Sequence, residues 1–208
     1  NIYIAVSNFY NVIFSGTGTV TASGALTIYG NVTINNYFDA GSFTHYVYGN
    51  WVNYGTFVYG TSTINFTGTA NIYIGISTFY NVIFSSTGTI TAAGNLVFYG
   101  NVNIVTNFYA GVYTYTVYGN WVNDGLFDYG TSTVEFIGNG NITITQNDFY
   151  NVIFGGPGIF IATGSLNFYG NVTINSTFDA GSYVHYIYGN WINNGTFLYG
   201  TSTIYFSG

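Results

Sequence analysis

Apart from its hydroxyl groups, the chain's chemistry rests on two histidines and six carboxylates, with no Cys, Met, Lys or Arg. His45 and His185 lie 140 residues apart, with Tyr115 at the position midway between them. In a stacked-coil reading that is eight coils, about 38 Å at the strand spacing, too far to share a metal. Each His is therefore expected as an unpaired surface residue of a strand. Asp39 and Asp179 precede Ala-Gly, where an Asp serves a turn, and Tyr109 takes the intervening place. Asp124, Asp128, Glu135 and Asp148 are close in sequence and have no cationic side chain to pair with. They are the candidates for a hard cation such as calcium bridging neighbouring coils. Glu135 and Asp148 have no acidic equivalents elsewhere, so no metal centre is expected.

The same inventory argues against catalysis. Glycoside hydrolysis needs two carboxylates at a set separation, and six scattered acids show no obvious pair. A polysaccharide lyase needs a basic residue beside its carboxylate-binding site. A serine hydrolase elbow would read G-x-S-x-G, which does not occur. The expectation is a non-enzyme without cofactor. N-x-Ser/Thr sequons occur at Asn31, Asn65, Asn141, Asn171, Asn175 and Asn194, about the number that chance gives, and mark candidate glycosylation acceptors.

Composition narrows the class further. Of 208 residues, 48% are hydrophobic, 22% aromatic and only 3% charged, with a net charge of −6. Nucleic-acid binding requires phosphate neutralisation by Lys or Arg and is excluded. Disulfides and Cys-ligated metals are excluded as well. The apolar content is the opposite of the disordered signature, and no apolar run approaches the roughly 18 residues of a membrane span. A domain so poor in charge departs from the usual ~25% of charged residues. It fits an extracellular or cell-surface material.

Internal repetition organises the whole chain. Phe9-Tyr10-Asn11-Val12-Ile13-Phe14 recurs at 79–84 and 149–154, Gly49-Asn50-Trp51 at 119–121 and 189–191, each 70 residues on. The chain is read as one solenoid domain, 1–208, with copies 1–70, 71–140 and 141–208. Within each copy a small residue recurs between alternating apolar stretches: Gly16, Gly30, Gly49, Gly68, Ser86, Gly100, Gly119, Gly138, Gly156, Gly170, Gly189 and Gly208. The steps of 14, 19, 19 and 18 residues suggest four coils per copy, about 12 in all.

Apolar residues alternate with polar ones, the mark of half-buried strands. Over 1–40 the even positions are the expected inward set, among them Ile2, Val6, Tyr10, Val12, Phe14, Leu26 and Val32. Around 43–61 the parity flips to Val47, Gly49, Trp51 and Phe57. No helix is expected, because caps are missing and β-branched and aromatic residues dominate. The expected fold is all-β, a parallel β-solenoid, right-handed by default, with glycines at a fixed corner. Trp51, Trp121 and Trp191 point into the core. Trp51 should lie between Val32 and Ala70, and Trp121 between Val102 and Gly140. Tyr29, Tyr48, Tyr99, Tyr118, Tyr169 and Tyr188 precede corner glycines, face outward and should stack in pairs on adjacent coils.

The string Tyr-Gly-Asn-Trp-Val-Asn-x-Gly-x-Phe-x-x-Gly-Thr-Ser-Thr-Val-x-Phe-x-Gly over 118–138, followed by Phe149-Tyr150-Asn151-Val152-Ile153, resembles the β-solenoid repeats of large secreted bacterial and archaeal surface proteins. The resemblance spans essentially the whole chain. It implies a parallel β-solenoid in an adhesin-like or filament-forming extracellular protein and transfers no catalytic residue.

Gly208 aligns with Gly68, so the sequence stops at a corner and starts with the other half of the same coil type. Unpaired strand edges invite further pairing. The expected role is a subunit or segment of an extracellular filament, joining copies of itself head-to-tail. An excerpt from a longer array would read the same way. The alternative is an adhesin stalk or carbohydrate-binding module that meets glycans through its Tyr and Asn faces.

Overall fold

A computed structural model describes residues 1–145 and 147–208, with Ile142 described by its backbone alone. Among the described residues there are thirty-three strands of three or four residues and no helix. The first turn is β1 (Ile2–Ile4), β2 (Ser7–Phe9) and β3 (Val12–Phe14). The last is β31 (Trp191–Asn193), β32 (Thr196–Leu198) and β33 (Thr203–Phe206). Every pairing is parallel and joins a strand to the third strand along: Ile2 faces Val20, Ser7 faces Leu26, Val12 faces Val32. Three strands thus make one coil, and thirty-three make eleven turns of a three-faced β-solenoid.

Eleven turns rather than twelve follow from what the 14-residue step means. From the first copy into the second, Gly30, Gly49, Gly68 and Ser86 share one corner, and a Cβ on Gly49 would come within 2.5 Å of the Gly30 carbonyl oxygen. From Ser86 to Gly100 the chain forms only two strands before turning, so Gly100, Gly119, Gly138 and Gly156 occupy the next corner round. Gly170, Gly189 and Gly208 occupy the third corner, which also holds Gly16. These small residues form three files, one at each corner, rather than a single file. A copy contains eleven strands, or three and two-thirds turns, so each is rotated by a third of a turn against the last.

The core is one continuous aromatic and aliphatic column. Phe14 and Phe38 stack at 4.0 Å, and their equivalents Phe84–Phe108 and Phe154–Phe178 at 4.4 and 4.5 Å. Burying each such ring contributes about 1.5–3 kcal/mol. Simple alternation misplaces two residues. Tyr10 and Val6 are exposed, whereas Phe79 and Phe149, the equivalents of Phe9, are fully buried. The corners here are two residues long, so the step between inward side chains becomes three and parity changes sides. Ile2 lies on an inward position but is exposed in the first coil, whereas its equivalent Ile72 is fully buried.

Candidate binding clefts at the copy junctions

One face pairs without interruption through eleven strands, and each of the other two is interrupted once. The breaks fall between β10 (Thr56–Val58) and β13 (Ser77–Phe79), and between β21 (Leu126–Asp128) and β24 (Asn147–Phe149). Their origin is a slip in register. Val32 faces Trp51, a step of 19, but Trp51 faces Ile74, a step of 23. Likewise Val102 faces Trp121 (19) and Trp121 faces Ile144 (23). The upper neighbours of Trp51 and Trp121 are therefore Ile74 and Ile144, not Ala70 and Gly140. The four extra residues leave only one paired position on the side wall, and the wall opens at the following corner.

Each opening is a cleft. The lower, of about 380 Å³, is lined by Asn53, Tyr54, Gly55, Thr56, Phe57, Ile76, Ser77 and Thr78. The upper, of about 440 Å³, is lined by Asn123, Asp124, Gly125, Leu126, Phe127, Thr145, Asn147 and Asp148. In place of the missing ladder, rings close the core behind each cleft. Phe57 and Phe79 meet edge-on at 5.9 Å, as do Phe127 and Phe149. Trp51 stands edge-on to Phe57 at 4.8 Å and Trp121 to Phe127 at 5.0 Å. Trp191 is half-buried and edge-on to Phe197 at 5.1 Å.

The polar chemistry of the two clefts differs. In the lower one the Trp51 indole N–H donates to Ser77 Oγ at 2.9 Å. In the upper one Asn147 replaces Ser77. Its Oδ1 accepts from Asn123 Nδ2 at 2.6 Å, while its own Nδ2 and the Trp121 indole N–H are buried and have no partner among the described residues. Asp148 Oδ1 accepts from Asn167 Nδ2 at 2.6 Å. Burial, then the Asp148 carboxylate, raises the Tyr169 phenol above its usual range.

Of the four acidic candidates, Asp124 and Asp148 share the upper cleft. Asp128 accepts from the Gly130 N–H, and Glu135 lies on another face between Thr116 and Ile153. Among the described residues, no three His, Cys, Asp or Glu side chains come together. Asp39 and Asp179 each accept at 2.9 Å from the N–H of Gly41 and Gly181, whose φ values of 65° and 64° make the turn.

The histidines are core residues, which corrects the surface expectation. His45 and His185 are 1% and 0% exposed. In each, Nδ1 accepts from a backbone N–H, of Leu26 or Leu166, and Nε2–H donates at 2.9 Å to Ala40 or Ala180. Burial pushes both below the usual His range, against the opposing pull of that backbone hydrogen bond. Tyr115 fills the same place in the second copy and donates its hydroxyl to the Ala110 carbonyl. Position 45 has the inward parity of Val47 and Trp51, the signal that marked it as buried. The two His belong to strands 22 apart, seven and a third turns rather than eight, and lie on different faces.

The outward tyrosines form ladders. Tyr29–Tyr48 are tilted at 5.1 Å, while Tyr99–Tyr118 and Tyr169–Tyr188 lie parallel at 4.5 and 4.9 Å. Tyr59 and Tyr129 extend the latter two to three rings, at 5.2 and 5.0 Å. Asparagines bind the corners beneath them: Asn11 Oδ1 accepts from Asn31 N–H, Asn31 from Asn50 and Asn50 from Tyr73, at 2.7–2.9 Å. Of the sequon residues, Asn31, Asn141, Asn171, Asn175 and Asn194 are exposed. Asn65 is half-buried, with its Oδ1 accepting from Ser85 Oγ at 2.6 Å.

No protein-family model, curated protein or solved structure matches the chain.

Proposed function

We propose that the chain is a structural element of an extracellular filament or surface fibre that lengthens by continuing its own solenoid. The observation that carries this reading is the way one copy follows another. At both internal junctions one face keeps its full ladder, and the aromatic core runs through. Three copies contain thirty-three strands, a whole number of turns, so a fourth copy placed on top returns to the orientation of the first. Head-to-tail addition of this kind does not close on itself and yields a fibre. Each junction would repeat contacts the chain already makes twice. Tyr ladders and asparagine corners stiffen the outside, and the absence of Lys and Arg removes every site for a trypsin-like protease.

Electron microscopy of the purified chain tests the proposal. Unbranched fibres are expected, with an axial repeat near 53 Å for eleven turns at about 4.8 Å each. Monodisperse short rods at all concentrations would overturn it.

A further inference from the structure

We propose that the ring pairs Tyr59–Tyr99 and Tyr129–Tyr169 are modification sites, where a peroxidase that removes single electrons at the expense of hydrogen peroxide joins the two phenols as dityrosine. Each cross-link would staple the wall where it opens at a copy junction. The proposal stands whether or not the chain forms fibres.

Both pairs lie where the strand ladder is missing. Tyr59 directly follows β10, below the lower break, and Tyr99 directly follows β16 (Leu96–Phe98), which pairs with β13 above it. Tyr129 follows β21, below the upper break, and Tyr169 follows β27 (Leu166–Phe168), which pairs with β24. The rings nevertheless meet across the gap, with centroids 5.2 and 5.0 Å apart and planes within 16° and 14° of parallel. Tyr59 and Tyr129 pack against the core, which fixes them, while Tyr99 and Tyr169, 41% and 39% exposed, present the pairs to solvent. Burial, then the neighbouring phenol of Tyr99 or Tyr169, raises the Tyr59 and Tyr129 phenols above their usual range. The hydroxyls, and the ring carbons beside them, thus share one end of each stack.

Composition directs an oxidant to these rings. Cys and Met, the usual targets of side-chain oxidation, are absent, and Trp51 and Trp121 are buried. Each phenol gives up one electron and its hydroxyl proton, and the unpaired spin spreads to the carbons ortho to the oxygen. A carbon–carbon bond forms between one such carbon of each ring, their two hydrogens leave as protons, and the two oxygens are reprotonated. In sum, two ring C–H bonds give way to one C–C bond. The two electrons and two protons released reduce one hydrogen peroxide to two waters. Rings already held in contact couple at a rate independent of chain concentration. Tyr3, Tyr10, Tyr54 and Tyr199 are more exposed but stand outside the ladders, so their radicals must find a partner on another molecule.

The test uses the full 208-residue chain, mixed from 15N-labelled and unlabelled batches and treated with a haem peroxidase and hydrogen peroxide. Mass spectrometry of peptic fragments should find Tyr59 joined to Tyr99 and Tyr129 joined to Tyr169, each pair lighter by two hydrogens and free of mixed isotopes. A covalent link between positions this far apart restricts the unfolded chain, so Tm should rise by about 5–10 °C. Tyr99→Phe with Tyr169→Phe keeps the rings and removes the central phenols. That variant should fold with a Tm close to the parent's and gain nothing on oxidation. The proposal is overturned if the linked fragments include neither pair, if those links carry mixed isotopes, if the parent's Tm does not rise, or if the double variant gains as much as the parent.

Discussion

The lower and upper junctions share a backbone, a four-residue slip and a tryptophan, yet among the described residues only the lower one satisfies its indole. Trp51 donates to Ser77, whereas Trp121 has no acceptor among the described residues, and Asn147, in the place of Ser77, has its oxygen on Asn123. The comparison separates two layers of specification. The slip in register is set by chain length between strands and repeats with the 70-residue period. Satisfaction of the groups it exposes is set by single side chains, which have diverged. An unpaired buried donor costs about 1–3 kcal/mol, so the upper junction should be the weaker of the two.

The largest effects should erase the comparison. Trp51→Ala and Trp121→Ala each remove a fully buried indole that holds three rings together, and each should cost about 3–5 kcal/mol in urea unfolding. If only one of them is costly, the two junctions do not share a core design.

A second expectation compares copies at the histidine position. Because burial lowers the folded-state pKa of His45 and His185, the unfolded chain binds more protons as pH falls. Their neutral forms support the fold fully above the unfolded His value near 6.5, and stability should fall below it by about 1.4 kcal/mol per pH unit per His. That loss ends once pH passes below the lowered folded value. His45→Tyr with His185→Tyr, copying Tyr115, should flatten the dependence of Tm between pH 7 and 5. An unchanged slope in the double variant would show that the carboxylates set it.

The smallest effect sharpens the comparison directly. Asn147→Ser should give the Trp121 N–H an acceptor and stabilise the chain by about 1–2 kcal/mol, while Ser77→Ala should destabilise it by a similar amount. Thermal unfolding followed by tryptophan fluorescence reads both.

Much of the architecture was legible in the chain. Alternating Val, Ile and Phe with Thr and Asn marked short strands, and the 70-residue period marked stacked copies. The parallel pairing followed, and the inward Trp51 and outward Tyr99 fell where alternation placed them. Two things were misread for the same reason. Val6 and Tyr10 were placed inside because two-residue corners shift parity, and nothing in a local window distinguishes a corner from a strand. The burial of His45 was legible in its parity, but a lone polar residue reads as surface until its two backbone partners, Leu26 and Ala40, are in place. The upper cleft was only half legible: Asp124 and Asp148 were singled out, but Asn147 and the unpartnered Trp121 donor were not.

Sequence alone determined that the chain repeats every 70 residues, forms strands without helices and cannot recognise its partners through cationic side chains, since these follow from residue type and local spacing. Only the tertiary structure decided how many strands close a turn. That number depends on ladder hydrogen bonds between residues 18 to 23 apart, which local spacing does not encode. Three strands per turn against eleven per copy set each copy a third of a turn round from the last, and the same non-local register opened the wall twice.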